Sequence, residues 1–184
     1  YGALVLNTAN VFFADLDEPE PPGVLARLFG RAPQSDGVLA RFRAIAEQRP
    51  DAALRLYRTK AGYRCVATGR TYDPTSKESA ELLQALESDP LYIRLCDAQE
   101  CYRARLTAKP WRCGVERPPA SFPFRGDAEE QQYRSWVEQY HATSDGYAAC
   151  SLVPEFPGTT GVPEIDEIVA LHDRLACAEG CPLA

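Results

Sequence analysis

With 184 residues, 45% hydrophobic and 25% charged, the chain can form one well-cored domain and is not disordered in bulk. A net charge of −6 argues against wholesale docking on duplex DNA, while a local basic patch is still allowed. No apolar run approaches the ~20 residues that span a bilayer, so no membrane partner is expected, and seven scattered cysteines in a domain that needs no staples suit a reducing cytosol, so a cytoplasmic protein is expected.

In chain order, Leu4–Leu6 is a short apolar run interrupted by Asn7-Thr8-Ala9-Asn10. Val11–Asp17 reads as a buried strand ending in acid, stopped by Pro19, Pro21 and Pro22. Val24–Phe29 fits a short helix and Gly30–Gly37 a loop. Asp36 then suits the N-cap of a helix carrying Val38, Leu39, Phe42, Ile45 and Ala46 at helical spacing, closed by Pro50. Leu54–Thr59 and Tyr63–Thr68 flank Lys60-Ala61-Gly62 and predict a β-hairpin, with Gly62 supplying a positive φ. Asp73-Pro74-Thr75 opens a helix that runs to about Ser88 through Ala80, Leu82, Leu83 and Leu86. Asp89-Pro90 restarts the chain as a turn or short helix through Leu91, Ile93 and Leu95.

Cys101–Ala108 alternates as a strand, with Tyr102, Ala104 and Leu106 on one side and Arg103, Arg105 and Thr107 on the other. Pro110–Pro123 is a proline-rich connector and the best boundary in the chain. Beyond it come a helix over Asp127–His141, a strand near Tyr147–Val153 and a terminal helix over Glu164–Ala178.

Residues 11–108 therefore follow a β-α-β-β-α-β order. That order predicts an α+β, ferredoxin-like (RRM-like) antiparallel sheet of four strands with both helices on one face. The expected division is a core over residues 1–110 and a mainly helical extension over 111–184, packing on that core. Alternation turns Phe12, Ala14 and Leu16 toward the helices and leaves Asp15, Asp17, Arg103 and Arg105 on the open face, with Arg64 a further candidate.

Two carboxylates at i and i+2 on a strand share one face, so Asp15 and Asp17 suit a shared Mg²⁺ or Mn²⁺. The plainer reading is a solvated strand exit continuing into Glu18 and Glu20. Arg64, Arg103 and Arg105, assisted by Lys60 and Lys109, suit phosphate, because guanidinium binds it bidentately. Otherwise these arginines balance nearby acids. His141 and His172, the only histidines, read as helix-surface residues. The seven cysteines read as free thiols. His172, Cys177 and Cys181, or Cys96, Cys101 and Cys113, offer zinc ligands without the tight Cys-x2-Cys pairs of a strong zinc motif. Tyr57, Tyr63 and Trp111 read as core and rim packing, since no aromatic RNA-binding string surrounds them.

The strand ending Asp15-Leu16-Asp17, followed by the hairpin Thr59-Lys60-Ala61-Gly62-Tyr63-Arg64, resembles the catalytic core of archaeo-eukaryotic primases and primase-polymerases. The resemblance implies that Asp15 and Asp17 are catalytic metal ligands and that Gly62-Tyr63-Arg64 stands where that superfamily carries Gly-x-His. It implies Mg²⁺ or Mn²⁺ as cofactor, Arg64, Arg103, Arg105 and Lys109 on phosphate, and a nucleotide or single-stranded nucleic-acid end as ligand. Two departures accompany it: Arg64 replaces the histidine, and no third acid stands on the Cys101–Ala108 strand, leaving Asp97 or Glu100 in the preceding loop. The rival expectation is a non-enzymatic binding module that offers its arginine face to an acidic partner; a phosphate-ester hydrolase using the same acids is a third. Separately, Ser88–Cys96 and Arg103–Cys113 are similar to a group of uncharacterised bacterial proteins.

Overall fold

The computed structural model describes residues 2–18 and 35–184. The expected proline stop after Asp17 and the expected helix over Val24–Phe29 lie outside the described residues. The chain is an α+β protein with antiparallel sheets. Its strands are β1 (Val5–Thr8), β2 (Phe13–Asp17), β3 (Leu54–Thr59), β4 (Gly62–Ala67), β5 (Tyr102–Arg105) and β6 (Cys150–Pro157). Its helices are α1 (Ser35–Gln48), α2 (Lys77–Ala85), α3 (Pro90–Gln99), α4 (Asp127–Ser144) and α5 (Pro163–Ala176). Asp36 thus falls inside the first turn of α1 rather than ahead of it.

The helix starts between the hairpin and β5 follow from side-chain capping. Ser76 accepts the Ser79 N–H at 3.1 Å to open α2. Asp89 accepts the Leu91 and Tyr92 N–H groups at 2.6 and 3.1 Å to open α3, whose first position is Pro90.

The β3–β4 hairpin turns on two residues, Lys60 and Ala61. Gly62 does not supply a positive φ there. A Cβ at this position would lie 2.1 Å from the Leu16 carbonyl oxygen, so glycine is required because β2 passes so close. The Glu18 N–H then donates to the Ala61 carbonyl at 2.9 Å, tying the end of β2 to the hairpin tip.

The main sheet has the order β2-β4-β3-β6, and β1 pairs with β5 in a second, two-stranded sheet. Three of the four strands expected in one sheet are therefore together, while Tyr102–Arg105 pairs with Val5–Thr8 instead. A side chain explains the separation. Tyr92, from α3, donates its hydroxyl proton to the Phe13 carbonyl at 2.9 Å and accepts the Arg103 N–H at 3.2 Å. Its hydroxyl bridges β2 and β5 where a direct ladder bond would otherwise run. The free edge of β3 is taken by β6, through a register shift between Arg55 and Tyr57.

The principal core gathers Phe12, Phe42, Leu56, Leu82, Leu83, Leu86 and Ile165, all fully buried. Each such side chain stabilises the fold by about 1.5–3 kcal/mol. Phe12 meets Tyr72 and Tyr102, and Phe42 meets Phe156 of β6 edge-on. A second cluster joins Trp136 and Tyr140 of α4 to Ala108, Cys113 and Val115. Tyr140 donates to the Ala108 carbonyl at 2.6 Å and Trp136 Nε1 to the Glu116 carbonyl at 3.0 Å, pinning the proline-rich connector to α4.

Candidate functional site

The antiparallel register sets Asp15 of β2 directly opposite Arg64 of β4, and Arg64 opposite Tyr57 of β3. Residues opposite one another share a face, so Asp15, Arg64 and Tyr57 form a row across the sheet. Helix α5 lies on that row. His172 packs against the rings of Phe13 and Tyr57, and the Tyr57 hydroxyl donates to Asp173 Oδ1 at 2.5 Å. The face expected to be open is thus covered over its middle by the terminal helix.

Arg64 is 1% exposed. Its Nε donates to Asp15 Oδ1 at 2.8 Å, Nη2 to Asp15 Oδ2 at 3.3 Å and Nη1 to the Arg105 carbonyl at 2.7 Å. Nη1 also stands 3.4 Å from His172 Nε2. Such a guanidinium is committed to the protein interior. Asp15 differs, because its side chain is 49% exposed. Burial of one edge pushes its carboxyl up, yet the charge and hydrogen bonds of Arg64, helped by Arg105, outweigh that and hold it below the usual carboxylate range.

Beyond Asp15 the chain walls a cavity of about 170 Å³ lined by Asp15, Asp17, Asp89, Arg105 and Lys109, with Tyr92 at its side. Burial first, then the nearby positive charges of Arg105 and Arg112, pull the Lys109 amine below its ordinary value. The cavity therefore sets two strand carboxylates and a helix-cap carboxylate against a flank of mutually repelling cations. That flank favours an anion, which would relieve the repulsion. Asp17 is exposed, whereas Arg103, on the same side of β5 as Arg105, is exposed and does not line the cavity. Of the six sequence-predicted site residues, four share this cavity, Arg64 lies buried behind it, and Arg103 lies apart.

On the far side of Arg64 is a group the sequence reading did not assemble. Asp173 accepts from Tyr57, from Arg55 Nη2 at 2.7 Å and from His172 Nδ1 at 3.0 Å. His172 is fully buried, not a helix-surface residue. Burial holds its imidazole below the usual histidine value, against the pull of Asp173. A sequence signal for this existed: Ile165, Ile168, Val169, His172 and Ala176 follow the i, i+3, i+4, i+7, i+11 spacing of one helix face.

Cys150, His172 and Cys177 bring three ligand atoms within 4.8 Å of one another, the one such group among the described residues. Neither Cys96, Cys101 and Cys113 nor the carboxylates of Asp15, Asp17 and Asp89 close into a comparable trio among those residues. All seven cysteines are free thiols in this structure. Of the aromatics, Tyr57 and Tyr63 are buried and Trp111 is 52% exposed. Compared with known protein families, curated proteins and solved structures, the chain matches none.

Proposed function

We propose that the Asp15–Asp17 cavity binds the phosphates of a nucleotide or of a single-stranded nucleic-acid end through Mg²⁺ or Mn²⁺, as a primase-type nucleotidyltransferase would. The observation that carries this reading is the lining of one cavity by Asp15, Asp17, Arg105 and Lys109 together. Magnesium commonly takes one or two carboxylates and completes its shell with water and substrate phosphate, so the strand pair suffices without a closed trio. Asp89 is the candidate for a third acid, ahead of Asp97 or Glu100, because it shares that wall. Arg105 and Lys109 supply the charge that phosphate needs. In the reaction, a 3′-hydroxyl would attack the α-phosphorus and give up its proton to water, as the new phosphodiester bond forms and the bond to the leaving pyrophosphate breaks. Asp15 and Asp17 would hold the metal, which would supply Lewis-acid polarisation of the phosphate; Arg105 and Lys109 would offset the developing charge, and no side-chain nucleophile is required.

The same reading treats the fold as a ferredoxin-like sheet whose fourth strand is displaced. Its support is the β2-β4-β3 order, with β5 held beside β2 by the Tyr92 hydroxyl. A ligand cavity at the end of β2, next to the hairpin tip, accords with that arrangement.

Calorimetry with nucleoside triphosphates, with and without Mg²⁺ or Mn²⁺, tests the proposal. Metal should tighten binding, and Asp17→Asn should abolish the metal effect while the fold stays intact. Absence of metal-dependent binding to the wild type would sink it. One observation favours a second reading, a non-enzymatic module for an acidic ligand: both oxygens of Asp15 are engaged by Arg64. In that case binding survives chelation and disappears in Lys109→Ala.

A further inference from the structure

Cys150 opens β6, while His172 lies in the last turns of α5 and Cys177 is its C-cap. Pairing of β6 with β3 and packing of α5 across the same sheet bring these three distant residues together. Cys150 Sγ stands 3.6 Å from Cys177 Sγ and 3.7 Å from His172 Nε2. A tetrahedral ion with metal–sulfur bonds of about 2.3 Å and a metal–nitrogen bond of about 2.0 Å spaces its ligand atoms by roughly 3.5–3.8 Å. Two of the three edges fall in that span, and the third, His172 Nε2 to Cys177 Sγ, lies within 4.8 Å.

The histidine is also oriented for the task. Its Nδ1 faces Asp173 Oδ1 at 3.0 Å, which leaves Nε2 toward the sulfur of Cys150. A carboxylate on the outer ring nitrogen is the usual companion of a metal-bound histidine, because it fixes the tautomer and raises ligand basicity. Asp173 is in turn held by Tyr57 and Arg55. The charge balances as well: two thiolates neutralise a dication, so the Arg64 guanidinium, itself paired with Asp15, meets no net positive centre. An ion would replace the long Arg64–His172 contact and the contacts of the Cys150 thiol with His172 and Cys177, and Arg64 keeps its shorter bond to the Arg105 carbonyl.

We propose that Cys150, His172 and Cys177 bind a thiophilic dication of the Zn²⁺ class, with its fourth coordination position open to an adjoining cavity. That cavity, about 440 Å³, is lined by Cys150, Cys177 and Cys181 together with Arg55 and Asp173. Cys181 lines the cavity but does not belong to the close trio. Three protein ligands with an open position are the arrangement of zinc sites that take water or substrate, whereas purely structural sites close all four. This site is separate from the Asp15–Asp17 cavity, and either reading can fail without the other.

Cobalt titration of the reduced, metal-free 184-residue chain tests it. One equivalent of Co²⁺ should give the visible bands of a tetrahedral ion and a sulfur-to-cobalt charge-transfer band, both displaced by Zn²⁺. Cys150 is fully buried and its replacement risks the fold, so Cys177→Ser and Asp173→Asn carry the test, each checked by circular dichroism. Cys177→Ser should roughly halve the charge-transfer band and weaken binding more than tenfold. Asp173→Asn should weaken binding by about 10–100-fold with the band shape kept, as loss of an outer-shell partner does. Cys181→Ser should change neither band nor affinity. Absence of a tetrahedral spectrum in the wild type overturns the site, as does unchanged binding in Cys177→Ser or a Cys150–Cys177 disulfide that persists under reductant without metal uptake. Loss of binding in Cys181→Ser overturns the open fourth position.

Discussion

Arg64 decides how the two strand carboxylates differ. It is a buried cation whose countercharge is Asp15, so Asp15→Asn leaves a guanidinium without its charge partner in the interior. Breaking a fully buried pair costs about 3–5 kcal/mol; the water-facing side of Asp15 lowers the expected loss to about 2–3 kcal/mol. Asp17→Asn removes an exposed charge and should stay within about 0.5 kcal/mol. Urea denaturation of the two variants checks the contrast, and equal stability would show that the pair contributes nothing. The pH dependence follows in sign. Asp15 and Asp173 are both held below the ordinary carboxylate value: burial opposes this in each, and Arg64 outweighs it for Asp15, His172 and Tyr57 for Asp173. Their stabilisation is therefore complete above the unfolded value of about 4 and is lost as pH falls through the lower folded values. Stability measured by tryptophan fluorescence should drop steeply below about pH 4, and less steeply in Asp173→Asn.

Among the elements, the junction of β2 with the hairpin tip is the most constrained by backbone. At Gly62 an added methyl would meet the Leu16 carbonyl, the Glu18 nitrogen and the Asp17 Cα, none of them a flexible side-chain end. Gly62→Ala should cost about 3 kcal/mol or more through forced separation of β2 and β4. Gly37→Ala, in α1 with open space around it, should instead stabilise by about 0.5–1 kcal/mol. Thermal melts of the pair test whether close approach, rather than turn conformation, accounts for Gly62. Local pattern made the hairpin, the Asp15–Asp17 face and the burial of Tyr102, Ala104 and Leu106 legible in the sequence, because strand alternation is a property of adjacent residues. It could not assign β5 to β1. Both edges of β5 offer the same backbone groups, and the choice turns on one tyrosine hydroxyl from α3. Tyr92→Phe removes that hydroxyl and leaves the Phe13 carbonyl and the Arg103 N–H without its bonds. A loss of about 1–3 kcal/mol is expected, with faster amide exchange at Arg103 as the readout.

At the scale of the whole molecule, the boundary at the proline-rich connector reads clearly in the sequence, yet the segments beyond it complete the main sheet. Helical periodicity shows that α5 has an apolar face; nothing local shows that this face settles on Arg64 and Tyr57, or that Cys150 returns to the same place 22 residues ahead of His172. The fragment spanning residues 1–110 would lose β6 from the edge of β3 and α5 from the row of Asp15, Arg64 and Tyr57. Tyr57 and Arg55 would lose Asp173, and Phe13 would lose the ring of His172. The polar groups uncovered in this way turn to water, so each lost hydrogen bond costs about 0.5–1.5 kcal/mol, and the uncovered apolar face, with Ile165 gone from the core, costs more. Against a total stability on the order of 5–15 kcal/mol, these losses leave the fragment without a folded state. It should show no cooperative thermal transition and no fixed near-UV circular dichroism, while the full chain shows both. A fragment that melts sharply would prove the first 110 residues self-sufficient and reduce β6 and α5 to a cover.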